Sequence, residues 1–273
     1  MSIDALLRVP EARALLDSVL PAYRRTVSSP KKVCRSHRHP RLAGTAIDYA
    51  LRLELSHRHP SAAEEQWVAE DAAEHLFRAR SPEAFMARKV VREARAASRR
   101  WPKKLQARYR RIAYHASRLA QLDQVVRAAR PPTFGSFDGV DERGIARDVE
   151  AMLHTADPLF DAIRDGDVLV NPSFGRWSEA VGGADADLIA RDALYDVKAS
   201  ANNTLERHHV RQLVAYASLA WASERRFIHL AGVYFARFGQ LRTVELTVNR
   251  RCRMEVARGL AAIHETQQRD LAG

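Results

Sequence analysis

The chain has 273 residues, which is enough for one large domain or two small ones, and 46% of them are hydrophobic, so it can bury a core. The formal net charge of +11 and the pI near 10.1 indicate a polyanionic partner, with nucleic acid as the leading class. No apolar run of about 18 residues and no signal-peptide pattern occurs, so we expect no membrane segment. Two cysteines far apart in the sequence suit a reducing compartment, so we expect a cytoplasmic protein.

The first half of the chain is predicted to be helical and basic. Short helices are expected within 1–28, and a longer one over 45–57. Ser61 and Glu64 form a capping-box pattern that predicts a helix starting at Ser61. A further helical run extends from about residue 81 to 130, and Pro102 must kink or break it.

A proline- and glycine-bearing linker over 131–144 marks a change of class. We therefore divide the chain into a helical region, 1–135, which would form a nucleic-acid-binding cap, and an α/β core, 136–273. The core has α+β character, with a mixed sheet. Its expected elements are a helix over 142–155, a strand at 168–170, a hairpin near 188–197, a helix containing Gln212, strands near 227–237 and 241–247, and a helix from about Cys252.

The hairpin contains an unusual set of charges. With a two-residue turn at 191–192, Asp187 falls directly opposite Asp196, and Asp185 falls opposite Lys198. Residues that are directly opposed have Cβ atoms roughly 4.5–5.5 Å apart, and like charges there destabilise the sheet. Facing carboxylates with a lysine alongside therefore predict a divalent cation site with the lysine beside a reaction centre.

The hairpin and the next helix together resemble the PD-(D/E)xK nuclease superfamily, and they are most similar to its RecB-like exonuclease branch. Asp187 and Asp196 match the two acids of the motif, and Lys198 matches its lysine. Gln212 and Tyr216 match the Gln-x-x-x-Tyr helix of that branch. The resemblance covers about residues 165–250 and implies a restriction-endonuclease-like core with Mg²⁺ or Mn²⁺ on the two acids.

Gln212 and Tyr216 are four residues apart, so they share one face of a helix. Gln212 is expected to contact a phosphate, a metal-bound water or the lysine strand. Tyr216 is expected either to orient a carboxylate or to stack on a base. A purely structural role, with Tyr216 in the core and Gln212 covering it, is the alternative.

A third acid is expected to complete the metal site. In the RecB-like branch a glycine precedes a helical metal ligand by four residues, and here Gly44 precedes Asp48, where the branch usually has histidine. The competing acids are Glu150 and Asp148, on the helix just before the first strand of the core. Asp48 is preferred because it lies between apolar residues on a helix preceded by glycine.

The run from Arg88 to Arg130 is rich in Lys and Arg, with interleaved aromatic residues, so it is expected to contact nucleic-acid phosphates. The cations proposed for this contact are Arg99, Arg100, Lys103 and Lys104.

These observations predict a Mg²⁺- or Mn²⁺-dependent nuclease that hydrolyses DNA, in repair, recombination or phage defence. A non-catalytic nucleic-acid-binding module or scaffold subunit with the same fold is the alternative. The chain has no Walker-type phosphate loop, so a helicase or ATPase motor working with it would be a separate protein. The sequence does not distinguish a DNA substrate from an RNA substrate, and it does not distinguish exonuclease from endonuclease cleavage.

Overall fold

The computed structural model describes residues 3–23, 32–34, 39–60, 63–64, 67–71, 73–74, 81–127, 142–164 and 166–272. The boundary predicted near residue 135 and most of the predicted linker lie outside these ranges. None of the helices in these ranges is both long and apolar enough to cross a membrane.

The helices are α1 (Ile3–Leu6), α2 (Pro10–Asp17), α3 (Pro40–Arg58), α4 (Val68–Asp71), α5 (Pro82–Ser98), α6 (Leu105–Arg127), α7 (Glu142–Leu153), α8 (Asp157–Ala162), α9 (Arg176–Ala180), α10 (Arg207–Glu224) and α11 (Arg250–Ala272). The strands are β1 (Ala63–Glu64), β2 (Val168–Val170), β3 (Leu188–Ala190), β4 (Ala193–Lys198), β5 (Leu230–Phe235) and β6 (Gln240–Glu245).

The strands form one mixed sheet in the order β1-β2-β3-β4-β5-β6. Strands β2, β3 and β4 are antiparallel neighbours, β5 pairs parallel to β4, and β6 pairs antiparallel to β5. Helix α10 makes the crossover that a parallel β4–β5 pair requires. The predicted mixed α/β class is therefore confirmed.

One helix prediction in the first half is wrong. Glu64 is not the partner in a capping box, because Ala63 and Glu64 form β1 and pair parallel to β2, with Ala63 opposite Leu169. Ser61 itself lies outside the described residues. Pairing with the sheet has prevailed over the local helix signal, which is a weak preference that tertiary contacts override. The predicted interruption at Pro102 is confirmed, and it is a break between α5 and α6 rather than a kink.

Helices cover both faces of the sheet, because the apolar side chains alternate along the strands. Tyr195 and Tyr234 point into a core formed with α3, α6 and α7. Leu194 and Val233 point to the other face, into a core formed with α10, α11 and the N-terminal helices. Helices from the first half of the chain therefore share their core with the sheet rather than forming a separate one.

Helix α3 passes close to the end of β4. A Cβ atom built on Gly44 would lie 3.8 Å from the Cβ of Ala199, the residue after Lys198, which is ordinary van der Waals contact. Residues four apart on a helix share a face, so Asp48 lies on the side of α3 that meets the end of β4.

Two glycines give a matched test of the packing around β4. A Cβ on Gly232 in β5 would lie 3.1 Å both from Tyr195 Cδ1 and from the backbone oxygen of Arg242. We expect Gly232→Ala to lower the free energy of unfolding by about 1–3 kcal/mol through overpacking. Gly44→Ala has room and removes a helix-interior glycine, so it is expected to be neutral or to stabilise by up to about 1 kcal/mol. Urea unfolding measures both, and equal destabilisation by the two variants would contradict this packing.

A candidate active site at the end of the β3–β4 hairpin

The predicted register of the hairpin is confirmed for β3 and β4, where Ala190 pairs with Ala193 and Leu188 with Tyr195. The residues next to that last pair are Asp187, just before β3, and Asp196 in β4, and the charge of Asp196 acts on Asp187. The turn lies at 191–192, with Arg191 in the left-handed region at φ 53°. Because side chains alternate, both carboxylates lie on the sheet face that is covered by α10.

Asp185 does not lie opposite Lys198, so that part of the register prediction is wrong. Strand β3 begins at Leu188, and the residues before it pair with the segment after β2 instead. Asp185 forms an isolated antiparallel bridge with Ser173, and Asn171 N donates a hydrogen bond to Asp187 O at 2.9 Å. The acids that meet at the end of the hairpin are therefore Asp187 and Asp196 alone.

Each acid of the hairpin is held in a different way. Asp187 Oδ2 accepts a hydrogen bond from the backbone N–H of Val197 at 2.6 Å, which fixes its carboxylate against β4. Asp196 is buried, and its Oδ1 accepts a hydrogen bond from Lys198 Nζ at 3.0 Å. Asp196 Oδ2 also lies 2.9 Å from that ammonium, but at an angle that does not make a hydrogen bond.

Burial and mutual repulsion make these carboxylates reluctant to ionise. Burial raises the pKa of Asp187 to about 6, and the charge of Asp196 adds to this shift while Lys198 opposes it. Burial also raises the pKa of Asp196, against the lowering effect of Lys198. Burial alone would lower the pKa of Lys198, but Asp196 and Asp187 together raise it above its usual value. The lysine is therefore a permanent cation.

Asp48 joins this group from α3. Burial raises the pKa of Asp48 to about 6, and the charge of Asp187 contributes to the rise. The charge of Asp48 in turn raises the pKa of Asp196. Arg52, one turn further along α3, lies 2.6 Å from Asp48 Oδ2 and donates a hydrogen bond to Asn171 Oδ1 at 2.8 Å. Arg52 thus ties the helical acid to the segment that follows β2.

The competing acids on α7 are engaged elsewhere. Glu150 lies 3.7 Å from the guanidinium of Arg110 on α6, and Asp148 lies 3.4 Å from that of the buried Arg237. Of the three acids predicted as candidates for this position, Asp48 is the one whose charge acts on Asp196, so the structure favours Asp48 over Glu150 as the third carboxylate of the site.

Gln212 and Tyr216 are both buried beside the acids, on α10. Gln212 Nε2 donates hydrogen bonds to the hydroxyl of Tyr216 at 3.1 Å and to Asp4 Oδ1 at 3.3 Å. Tyr216 packs against Phe174, with ring centroids 5.9 Å apart, so stacking on a nucleic-acid base is excluded for it in this arrangement. Burial raises the pKa of Tyr216, and the charge of Asp196 adds to the rise.

Sequence reasoning missed two members of the site. Asp4 on α1 reaches Gln212, and its charge raises the pKa values of Asp196 and Lys198. No local pattern marks Asp4, because its contact spans more than 200 positions in the chain. Arg52 carried a usable signal, since it stands four residues after Asp48 and therefore on the same helix face.

The four cations predicted to bind nucleic acid lie far from these acids. Helices α3 and α6 run antiparallel, because Glu54 pairs with Arg108 while Tyr49 donates to Asp123. The cations are exposed in and beside the α5–α6 loop, at the opposite end of α6 from Asp123. At 1.5 Å per residue that distance along the helix is roughly 27 Å. These residues are Arg99, Arg100, Lys103 and Lys104.

Much of the surrounding basic run is already engaged within the protein. Arg95 makes a bidentate contact with Glu70, and Arg118 lies 2.6 Å from Glu93. Of the interleaved aromatic residues, Trp101 and Tyr109 are buried, and Tyr114 is exposed. The run therefore offers fewer free cations and stacking surfaces than its composition indicates.

The donor set fits a hard divalent cation by charge and chemistry. Within the described residues no group of three or more His, Cys, Asp or Glu is arranged as a ready-made metal centre. Among Asp187, Asp196 and the side chains whose charges act on them, the carboxylates outnumber the cations by two, and oxygen ligands suit Mg²⁺ and Mn²⁺. Asp187 makes no ion pair with the described residues, and its Oδ2 accepts a hydrogen bond from the backbone of Val197. The acids are Asp4, Asp48, Asp187 and Asp196, and the cations are Arg52 and Lys198.

Comparisons of the chain with protein-family models, with curated proteins and with solved structures gave no match.

The raised pKa of Asp187 predicts a pH-dependent effect of Asp187→Asn on stability. An acid that ionises near pH 6 when folded and near 4 when unfolded binds more protons in the folded state between those values. The wild-type protein therefore loses stability as the pH rises through this window, and the asparagine variant does not. We therefore compare the free energies of unfolding of Asp187→Asn and wild type without metal. The difference in favour of Asp187→Asn is expected to be larger at pH 7.5 than at pH 4 by on the order of 1–3 kcal/mol.

Urea unfolding in EDTA at the two pH values measures this difference. Asp192→Asn is the matched control, because Asp192 is exposed in the turn of the same hairpin. A difference between Asp187→Asn and wild type that is the same at both pH values would contradict the burial of ionised Asp187.

Proposed function

We propose that this protein is a metal-dependent nuclease that hydrolyses phosphodiester bonds of DNA. One observation carries the proposal: Asp187 and the buried Asp196 converge with Asp48 and the ammonium of Lys198 at one end of the sheet. A fold gains no stability from crowding like charges in this way, so the arrangement calls for a functional reason.

The order of elements supports the resemblance to the PD-(D/E)xK superfamily and a restriction-endonuclease-like core. The two acid-bearing strands form a hairpin, a polar linker follows, and α10 then leads to a strand parallel to β4. Gln212 and Tyr216 on α10 lie beside the acids, as the resemblance implies. Asp48 stands where the RecB-like branch usually has histidine, and its carboxylate is an equally suitable ligand for Mg²⁺.

Asp187, Asp196 and Asp48 would hold Mg²⁺ or Mn²⁺. When bound, such an ion neutralises charge on the phosphate and makes water a stronger nucleophile near neutral pH. The raised pKa values of Asp48 and Asp187 mean that these ligands are ionised above about pH 6 and take up protons below it. We therefore expect activity to fall as the pH drops below that value.

Lys198 acts as a fixed positive charge. Because its pKa is raised by Asp196 and Asp187, it donates hydrogen bonds and does not serve as a general base. Its ammonium is held by Asp196 at the edge of an open cleft, where it would stabilise negative charge that develops on the phosphate during attack by water.

Gln212 and Tyr216 are positioning residues. Gln212 links the hydroxyl of Tyr216 to Asp4, so it ties α10 to the N-terminal segment behind the acids. Tyr216 stays neutral because burial and Asp196 raise its pKa, and it fills the space beside the carboxylates with a polar but uncharged group.

A second candidate is a non-catalytic nucleic-acid-binding module with the same fold. It is favoured by the lack, within the described residues, of a preassembled group of three metal-binding side chains. Such a module would bind DNA in EDTA and would not cleave it in the presence of any metal. A role in repair, recombination or phage defence, and a separate helicase or ATPase partner, remain proposals with either candidate.

Loss of either charged group of the β4 motif is expected to abolish cleavage. With Mg²⁺ or Mn²⁺, purified wild-type protein should cut DNA, and Asp196→Asn and Lys198→Met should each reduce the rate by about 100-fold or more. Asp185→Asn is the matched control, because Asp185 is exposed and pairs with Ser173 instead. End-labelled linear DNA and closed circular DNA separate end-dependent from internal cutting. Wild-type-like cleavage by both active-site variants would show that the hairpin is not the active site.

The third acid is tested by metal binding itself. Asp48→Asn is expected to weaken Mn²⁺ binding, measured by isothermal titration calorimetry, by about tenfold or more, because it removes a charged ligand. Glu150→Gln is the comparison variant and should bind Mn²⁺ like wild type, since Glu150 faces Arg110. The reverse result would assign the third acid to α7.

A further inference from the structure

A cleft opens directly beside Lys198, on the side of the site formed by the N-terminal segment. It has a volume of about 560 Å³ and lies between the α1–α2 segment, the residue stretch after β4 and the first turns of α10. This size is within the usual range of ligand-binding clefts. Its charged lining consists mainly of cations, and its side chains include Asp4, Arg8, Arg13, Lys198, His208 and Arg211.

Most of the charged groups in this cleft already have partners. Lys198 is paired with Asp196, and Arg211 makes a bidentate contact with Asp17 at 2.6 and 2.7 Å. Arg8 and Arg13 differ: both are exposed, and the guanidinium group of neither makes an ion pair or hydrogen bond with the residues that the structure describes. Two unpaired guanidinium groups thus face the same cleft as the proposed catalytic lysine.

The segment that carries these arginines is firmly attached to the active-site helix. Asp17 pairs with both Arg207 and Arg211 of α10, and Leu6 and Leu16 are completely buried. Asp4 accepts a hydrogen bond from Gln212, as described above. Arg8 and Arg13 are therefore held at a fixed place beside the site rather than on a loose end.

We propose that Arg8 and Arg13 bind backbone phosphates of a DNA strand whose adjoining phosphate lies at Lys198. Guanidinium groups suit this role because their donors match the geometry of phosphate oxygens. The proposal rests on the nuclease function, since that function places the scissile phosphate at Lys198. It moves the main phosphate contact from the α5–α6 loop to the N-terminal segment, because that loop lies at the far end of α6.

Binding of fluorescently labelled single-stranded and duplex DNA, measured by anisotropy in EDTA over a series of salt concentrations, tests this proposal without cleavage. The Arg8→Ala/Arg13→Ala double variant is expected to bind roughly tenfold more weakly at 0.1 M salt, and its salt slope should fall by about 1–2. Arg8→Lys/Arg13→Lys should retain most of the affinity, which separates loss of charge from loss of structure.

The Arg251→Ala/Arg269→Ala variant is the charge-matched control, because both arginines are exposed on α11 and pair there with glutamates. The proposal is overturned if Arg8→Ala/Arg13→Ala keeps the wild-type affinity and salt slope, or if the control loses as much as it does. Failure of the nuclease function is a separate result: no cleavage by wild type with any metal, together with binding that depends on Arg8 and Arg13, would refute catalysis and keep this binding site.

Discussion

The arrangement of the site is governed by one constraint, which is the repulsion between the two carboxylates that meet at the end of the β3–β4 hairpin. The hairpin register brings Asp187 and Asp196 together on the face covered by α10, where Asp196 is buried and Asp187 is partly buried. Isolated ionised carboxylates are costly to bury, so each requires compensation. Lys198 supplies it to Asp196, and the N–H of Val197 supplies part of it to Asp187.

The elements around the hairpin are arranged to meet this requirement. Helix α3 passes the end of β4 where Gly44 meets Ala199, and it brings both an acid, Asp48, and Arg52. Helix α10 approaches from the other face with Gln212, which the N-terminal segment reaches through Asp4. The site thus draws on elements from both layers and from the sheet, so the first half of the chain is part of the site's structure.

The sequence predicted those parts of the site whose geometry is local. A two-residue turn fixes the register of a hairpin, so the opposition of Asp187 and Asp196 followed from counting positions. The same counting failed at Asp185, because the chain leaves β3 before that residue and pairs with Ser173. The capping-box pattern at Glu64 failed for a similar reason, since pairing with β2 is a long-range contact that local preference does not register. The contact of Asp4 with Gln212 is also long-range, and no local pattern around Asp4 predicts it.

If the acids at the end of the hairpin form a divalent cation site, Mn²⁺ soaked into crystals of the full chain binds there. Anomalous diffraction locates the ion without any assumption about activity. We expect a peak in contact with the carboxylates of Asp187 and Asp196, on the side from which Asp48 approaches. Full occupancy of Mn²⁺ at another place, with no peak at these two carboxylates, would contradict it.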